Sequence, residues 1–141
     1  MRMKTVNVVA AVIKKDNKIL ATQRGYGEFK DCWEFPGGKI EAGETPAEAL
    51  VREIHEELNA HIKIDYELGI VEYDYPHFHL SMQCFLCSLI SDELTLLEHE
   101  DMKWLTATTM DTVTWLPADA EMTPKVKKYY KLRVYNGVAR P

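Results

Sequence analysis

From Val6 to Ile13 the chain is apolar and largely β-branched, Lys14 to Lys18 forms a polar interruption around Asp16-Asn17, and Ile19 to Arg24 resumes the apolar pattern. Two strands joined as a hairpin are predicted. Gly25 to Asp31 reads as a loop, and Trp33-Glu34-Phe35 as a short strand stopped by Pro36, after which Gly37-Gly38 opens a long loop. Thr45-Pro46-Ala47-Glu48 predicts a helix start: Thr45 caps, Pro46 fits the first turn and Glu48 completes a capping box. The helix is expected to reach about Leu58, with Leu50, Val51, Ile54 and Leu58 on its core-facing stripe and Asn59 as a left-handed stop. Ile62 to Tyr75 and Phe78 to Ile90 predict two more strands with Pro76 in the turn between them. Asp92 to Glu100 is a polar connection, Met102 to Leu105 a short apolar segment, and Leu116-Pro117-Ala118-Asp119 an irregular loop. Thr123-Pro124 is expected to cap a last helix running through Tyr130. This order of elements gives α/β or α+β and no finer choice.

Composition narrows the class. A length of 141 residues suits a single domain over 1–141, and 46% apolar with 28% charged residues is the balance of a globular chain. The net charge of -5 argues against nucleic acid as a partner, because duplex binding draws its affinity from Lys and Arg. No membrane span is expected, and Met1 to Ala10 lacks the long apolar core of a signal peptide, so the expected location is cytoplasmic. Cys84 and Cys87 have CxxC spacing, but on a strand residues three apart point to opposite faces, which makes them ordinary buried thiols.

The chemistry concentrates between Gly38 and Ala60, GKIEAGETPAEALVREIHEELNA. At about 100° per residue, Glu53, Glu56 and Glu57 crowd one flank of the predicted helix, and none has a Lys or Arg four residues C-terminal to it. A solvated acidic face is the plain alternative. A divalent cation would relieve the repulsion, and oxygen-only ligands favour Mg²⁺, with Mn²⁺ also suitable. Gly37-Gly38 permits close approach of backbone to a metal or a phosphate.

These residues resemble the Nudix box: Gly, five residues, Glu, seven residues, then Arg-Glu-apolar-any-Glu-Glu-any-Gly-apolar. Gly38, Glu44, Arg52, Glu53, Ile54, Glu56 and Glu57 match in register, while Asn59 replaces the usual Gly and Ala60 a larger apolar residue. Chance agreement at one start is on the order of 10⁻⁷. Similarity to the MutT-like branch extends over Gln23-Arg24, WEFPGGKIEAGE, Glu98-His99 with Trp104, and LPAD at 116 to 119. The resemblance implies a mixed sheet between helices, the α/β/α sandwich of that family, and a metal-dependent hydrolase of phosphoanhydride bonds.

It further implies that Glu56, Glu57 and the Gly37 carbonyl bind metal, that Glu53 binds metal or orients the attacking water, and that Glu98 is a further ligand or general base. Arg52 is expected to orient Glu53, and Glu44 to brace the loop against the helix. Arg24 and Lys39 are candidate phosphate contacts. Asp119 is the leading candidate for base recognition, with Glu34 beside it. The oxidised-guanine enzyme of this branch has Asn at the related place, so Asp119 argues against strict oxidised-guanine specificity. Tyr75, Phe78 and Trp104 are read as core rather than base platforms, and His77 and His79 as one polar strand face. The expected reaction takes an unmodified or modified (deoxy)nucleoside triphosphate to the monophosphate and pyrophosphate, by a monomer or homodimer. The alternatives are cleavage of ADP-ribose or NADH, or a nucleotide sensor without turnover.

Overall fold

The computed structural model describes residues 3–91 and 93–135, the backbone only for 130–135. Strand β1 (Lys4–Lys15) turns at Asp16, whose φ of 56° is left-handed, into β2 (Lys18–Gln23). The short strand β3 (Trp33–Glu34) pairs with β2, and β4 (Gly37–Lys39) lies antiparallel to β1. Helix α1 (Pro46–Leu58) is followed by the long hairpin β5 (Ile62–Tyr75) and β6 (Phe78–Leu89), then by β7 (Asp101–Leu105), which pairs with β2. A 3₁₀ turn (Met110–Thr112) precedes helix α2 (Pro117–Tyr135).

The sheet runs β3-β2-β1-β6-β5, with β1 and β6 parallel from Lys4↔Phe78 to Lys14↔Ser88. β1 is apolar without alternation because both its faces are covered. Ala10 and Val12 enter the core beneath α2 with Met122 and Val126, whereas Val9, Ala11 and Ile13 enter the core beneath α1 with Leu50, Ile54 and Leu58. The expected sheet between helices is therefore present. Cys84 and Cys87 fall one in each core, both as free thiols.

The caps of α1 are formed as its sequence predicts. Thr45 Oγ1 accepts from the Glu48 N–H at 3.1 Å, Glu48 Oε1 accepts from the Thr45 N–H at 2.9 Å, and Asn59 closes the helix at φ 49°. Five expectations need correction. Gly37-Gly38 is not the start of a loop but strand β4, because β1 diverges from β2 and leaves an edge free at Val8 to Ala10. Val51 is 40% exposed, since the buried stripe is turned toward Ala49 and Glu57. LPAD is the first turn of α2, with Pro117 at its favoured first position and the Ala120 N–H donating to the Leu116 carbonyl. Thr123-Pro124 lies inside that helix, where the Thr123 hydroxyl donates to the Ala120 carbonyl at 2.8 Å and takes the place of the N–H that Pro124 lacks. Finally, His77 sits in the β5–β6 turn, so it does not share a strand face with His79.

Candidate active site

β4 sets the geometry. A Cβ on Gly37 would collide with the Val9 carbonyl, and one on Gly38 would collide with the Glu53 carboxylate. Gly37 is thus required for β4 to lie against β1, and Gly38 for the Glu53 carboxylate to lie against β4. Arg52 organises that flank. Its Nε and Nη2 donate to the two Glu44 oxygens at 2.6 and 2.8 Å, its Nη1 donates to Glu53 Oε1 at 2.9 Å and Glu56 Oε2 at 3.2 Å, and Nη2 also reaches the Lys39 carbonyl at 3.1 Å. The bidentate pair holds the Glu44 carboxyl at about 2. Arg52 thus pairs with Glu56 from four residues N-terminal, a partner that counting only C-terminal cations overlooks.

Glu53 and Glu57 are the strained acids. Burial raises Glu57 to about 9, with further pushes from Glu53, Glu34 and Glu98, and its buried Oε1 has no hydrogen-bond partner. Burial also raises Glu53, against the pull of Arg52. Glu98 is exposed, and its charge acts on both. The chemistry of these carboxylates suits a hard divalent cation: the donors are oxygens, Arg52 offsets only part of their repulsion, and Glu57 Oε1 is buried without a hydrogen-bond partner, although among the described residues no three such side chains are drawn together as a ready metal-binding group. Glu53, Glu56 and Glu57 would hold it with the Gly37 carbonyl, and Glu98, whose charge is felt by Glu53 and Glu57, is the further candidate.

On the other side of β4 lies a cleft of about 140 Å³. Its polar wall is Arg24, Glu34 and Asp119, its apolar wall includes Phe29, Phe35 and Tyr75, and Gly37 and Gly38 line it as well. The chain builds this cleft by joining distant segments. Trp33 pairs with Trp115 in a parallel bridge, fixed by Trp33 N–H to the Thr114 carbonyl and Leu116 N–H to the Trp33 carbonyl, both 2.8 Å. That bridge sets the start of α2 beside β3, where Asp119 Oδ2 accepts from the Phe35 N–H at 2.9 Å. Tyr75 closes the same corner, its hydroxyl accepting from the Ala118 N–H at 3.1 Å. Burial raises Asp119 to about 8, with Glu34 adding to the shift.

Arg24 is not a free cation: Nη2 donates to Glu34 Oε1 at 2.9 Å. Burial works to raise Glu34, but hydrogen bonds from His99 and Arg24 prevail and hold it below the usual carboxylate range. The Lys39 side chain is exposed, and the contact the structure gives that residue is through its carbonyl. Tyr75 and Phe78 belong to the core and also line the cleft, so reading them as core alone was too narrow, whereas Trp104 only packs on the α1 side. His79 pairs with Asp74 and Glu72 on the exposed sheet face, away from this chemistry.

Sequence reasoning missed His99. Its side chain is 5% exposed, and Nε2 lies 3.2 Å from Glu34 Oε2 and 3.8 Å from Glu57 Oε2, between the cleft and the acidic helix. It was part of the Glu98-His99 segment that carries the MutT-like resemblance but was given no role, because in a polar connection no periodicity marks a buried side chain.

Residues 3–126 match the family model for the NUDIX domain. The chain belongs to the NUDIX family. It is 37% identical over 97 residues to the 8-oxo-dGTP diphosphatase of Proteus vulgaris, covering 67% of this chain and 87% of that one. It is also 30% identical over 131 residues to the 8-oxo-dGTP diphosphatase of Escherichia coli, covering 89% and 99%. The solution structure of the E. coli ORF135 protein superposes with a TM-score of 0.76 at 30% identity, over 99% of this chain and 95% of that one. This NUDIX chain is a hydrolase of the MutT-like kind, and a nucleotide is the substrate that membership implies. Enzymes of the family depend on divalent metal in general.

Proposed function

We propose that this chain hydrolyses a nucleoside triphosphate, unmodified or modified, to the monophosphate and pyrophosphate, with Mg²⁺ as the cation and Mn²⁺ as a substitute. One observation carries this reading. Among the described residues, the buried side-chain polar atoms without a partner are Arg24 Nε, Glu57 Oε1 and His99 Nδ1, and all three belong to the line of groups that joins the cleft to the acidic helix. Unsatisfied buried groups are rare, and their gathering in one place marks where a ligand is meant to complete the structure.

The base occupies the cleft, stacked against its aromatic wall, and Asp119 and Glu34 read its edge. Glu53, Glu56 and Glu57 receive the cation with the Gly37 carbonyl, and Glu98 serves as an added ligand or as the base for water. When bound, the cation neutralises phosphate charge and activates water. Arg52 keeps Glu53 in place through that exchange, and Glu44 keeps Arg52. Lys39, exposed at the end of β4, is the cation free to meet a phosphate, and Arg24 reaches one only by leaving Glu34. The chain 1–141 is read as one domain, and its charge of -5 weighs against nucleic acid as a partner. No helix among the described residues is long and apolar enough to cross a membrane, and the site of action we infer is the cytoplasm.

Relatives named as 8-oxo-dGTP diphosphatases support a triphosphate substrate. Asp119 on the cleft wall, whose Oδ2 is taken by the Phe35 N–H and whose carboxyl burial raises to about 8, can offer an O–H to a ring nitrogen or carbonyl of the base, or accept from an N–H edge once ionised. The test is turnover with Mg²⁺ of unmodified and damaged (d)NTPs, ADP-ribose and NADH, with products separated and Glu57→Gln as control. Pyrophosphate from one triphosphate, absent in the control, is expected. Cleavage of ADP-ribose or NADH alone would move the chain to the diphosphate-derivative class, and tight binding without turnover would make it a sensor.

A further inference from the structure

We propose that His99 is a positioning residue that keeps the Glu34 carboxylate out of a two-bond fork with Arg24, so that Glu34 faces the base cleft as a fixed acceptor. This rests on the reading of Glu34 as a base contact given above and assigns the side chain that holds it there.

Two arginine–glutamate pairs in this chain make the contrast. Arg52 grips Glu44 with Nε and Nη2 together, one to each oxygen, at 2.6 and 2.8 Å. That side-on fork is the favoured meeting of a guanidinium with a carboxylate. Arg24 has the same two donors beside Glu34 and uses one of them: Nη2 donates to Oε1 at 2.9 Å, while Nε is buried without a partner. A buried donor left open next to a carboxylate is costly. The second Glu34 oxygen is held elsewhere, by His99, whose Nε2 lies 3.2 Å from Oε2. An ionised carboxylate only accepts, so Nε2 is the donor. Glu57 Oε2, at 3.8 Å, is beyond hydrogen-bond reach of that nitrogen, and the bond goes to Glu34 alone.

Backbone hydrogen bonds place His99. Its segment is tied to the end of α1, Thr95 N–H to the Leu58 carbonyl at 2.7 Å and Leu97 N–H to the Glu57 carbonyl at 3.0 Å, and to β2 through Glu100 N–H and the Gln23 carbonyl at 3.0 Å. The Glu34 carbonyl is held in turn by the Thr22 hydroxyl at 3.1 Å. With its main chain and both carboxylate oxygens fixed, Glu34 meets a base without first losing freedom. Arg24 and Glu34 both line the cleft, and both lose by a fork. Without His99, Oε2 turns to Arg24 Nε, the carboxylate leaves its orientation to the base, and the open Nε–H is consumed.

The test compares His99→Gln, which keeps an N–H near the place of Nε2, with His99→Asn, a neutral amide one methylene shorter. Two properties are measured on the metal-free chain in EDTA. One is the Arg24 Nε–H signal in ¹⁵N–¹H spectra, with the Nε–H of the Arg52 fork as internal reference. The other is the dissociation constant of cytidine, adenosine, deoxyguanosine and 8-oxo-deoxyguanosine, by titration. In the native chain and in His99→Gln the Arg24 signal is expected upfield of the fork reference, and in His99→Asn it moves downfield toward it. The best nucleoside should bind on the order of tenfold more weakly to His99→Asn than to the native chain, with most of the loss recovered in His99→Gln. In a Glu34→Gln background the same exchange at His99 should change affinity by less than about twofold.

An Arg24 signal already at the fork position in the native chain overturns the proposal, even if no His99 variant folds. So does a signal that does not move in His99→Asn, or an equal loss of affinity with and without the Glu34 carboxylate. Should Glu34→Gln bind every nucleoside as the native chain does, or the native chain bind none, the reading of Glu34 as a base contact falls and the proposal falls with it.

Discussion

At the scale of single residues the site is built from conflicts that its neighbours only partly resolve. Glu57 is the sharpest, a carboxyl raised to about 9 by burial and by three other acids. Glu57→Gln is therefore expected to divide activity from stability. Turnover should fall by more than the roughly 100-fold typical of losing a supporting partner. The metal-free protein should meanwhile become more stable at pH 8 by on the order of 1 kcal/mol or more, since Glu57 must take up a proton to be buried at that pH and Gln need not. Thermal melts with and without Mg²⁺ check this, and a destabilised metal-free variant would mean that Glu57 is held by partners rather than crowded by rivals. Arg52 plays the opposite part. Because it touches Glu44, Glu53 and Glu56 at once, Arg52→Ala should lower kcat by roughly 10–100-fold with a smaller change in KM. Steady-state kinetics showing KM alone affected would remove it from the support of Glu53.

At the scale of elements, β4 and the two helix starts decide where those residues meet. The two glycines of β4 should respond differently to alanine. Gly37→Ala sets a Cβ against the Val9 carbonyl, backbone against backbone, and should lower stability by about 1–3 kcal/mol. At Gly38 the obstacle is the end of the Glu53 side chain, which can swing aside, so Gly38→Ala should keep most of its stability and lose turnover. Equal effects on the melting temperature would count against this assignment. Asn59→Gly should change stability by no more than about 0.5 kcal/mol and preserve activity, because Asn59 already holds the left-handed conformation at φ 49°. Local chemistry explains what could be read in advance. The capping box, Asn59, the hairpin turn and the register of the acids on α1 depend on neighbours within a few residues, and each was visible in the sequence. β4 was not, because Val9, the partner of Gly38, lies 29 residues away in the chain and the pairing depends on β1 leaving β2. Thr123-Pro124 imitates a helix start so well that the true start at Pro117 was passed over. Asp119 was recognised as a candidate from the LPAD resemblance, but its place beside Phe35 arises from the Trp33–Trp115 bridge, and His99 from a connection without periodicity.

At the scale of the whole molecule, two cores on either face of one sheet carry a site that is itself unfavourable until it is filled. The double-sided burial of β1 was legible because Val8 to Ile13 shows no alternation, and the stability of those cores is what tolerates Glu57 and Asp119. Both acids are buried with raised values, from an ordinary 4.5 to about 9 and from 3.8 to about 8. A group whose folded value lies above its unfolded one binds more protons when folded. Its contribution is complete below the unfolded value and is lost as pH rises through the folded one. The metal-free protein should therefore lose stability steadily from about pH 4.5 to about pH 9. Glu34 and Glu44 act the other way, since their values are lowered, and their contribution is lost as pH falls below the ordinary carboxylate range. A stability maximum near pH 5 follows for the metal-free chain. Mg²⁺ binds the ionised form of Glu57 and should flatten the alkaline decline, while the share belonging to Asp119 remains and disappears only in Asp119→Asn. Melting curves at unit steps of pH, with EDTA and with Mg²⁺, separate these shares; a metal-free melting temperature that stays level or rises from pH 5 to pH 9 would show that neither acid is held protonated by the fold.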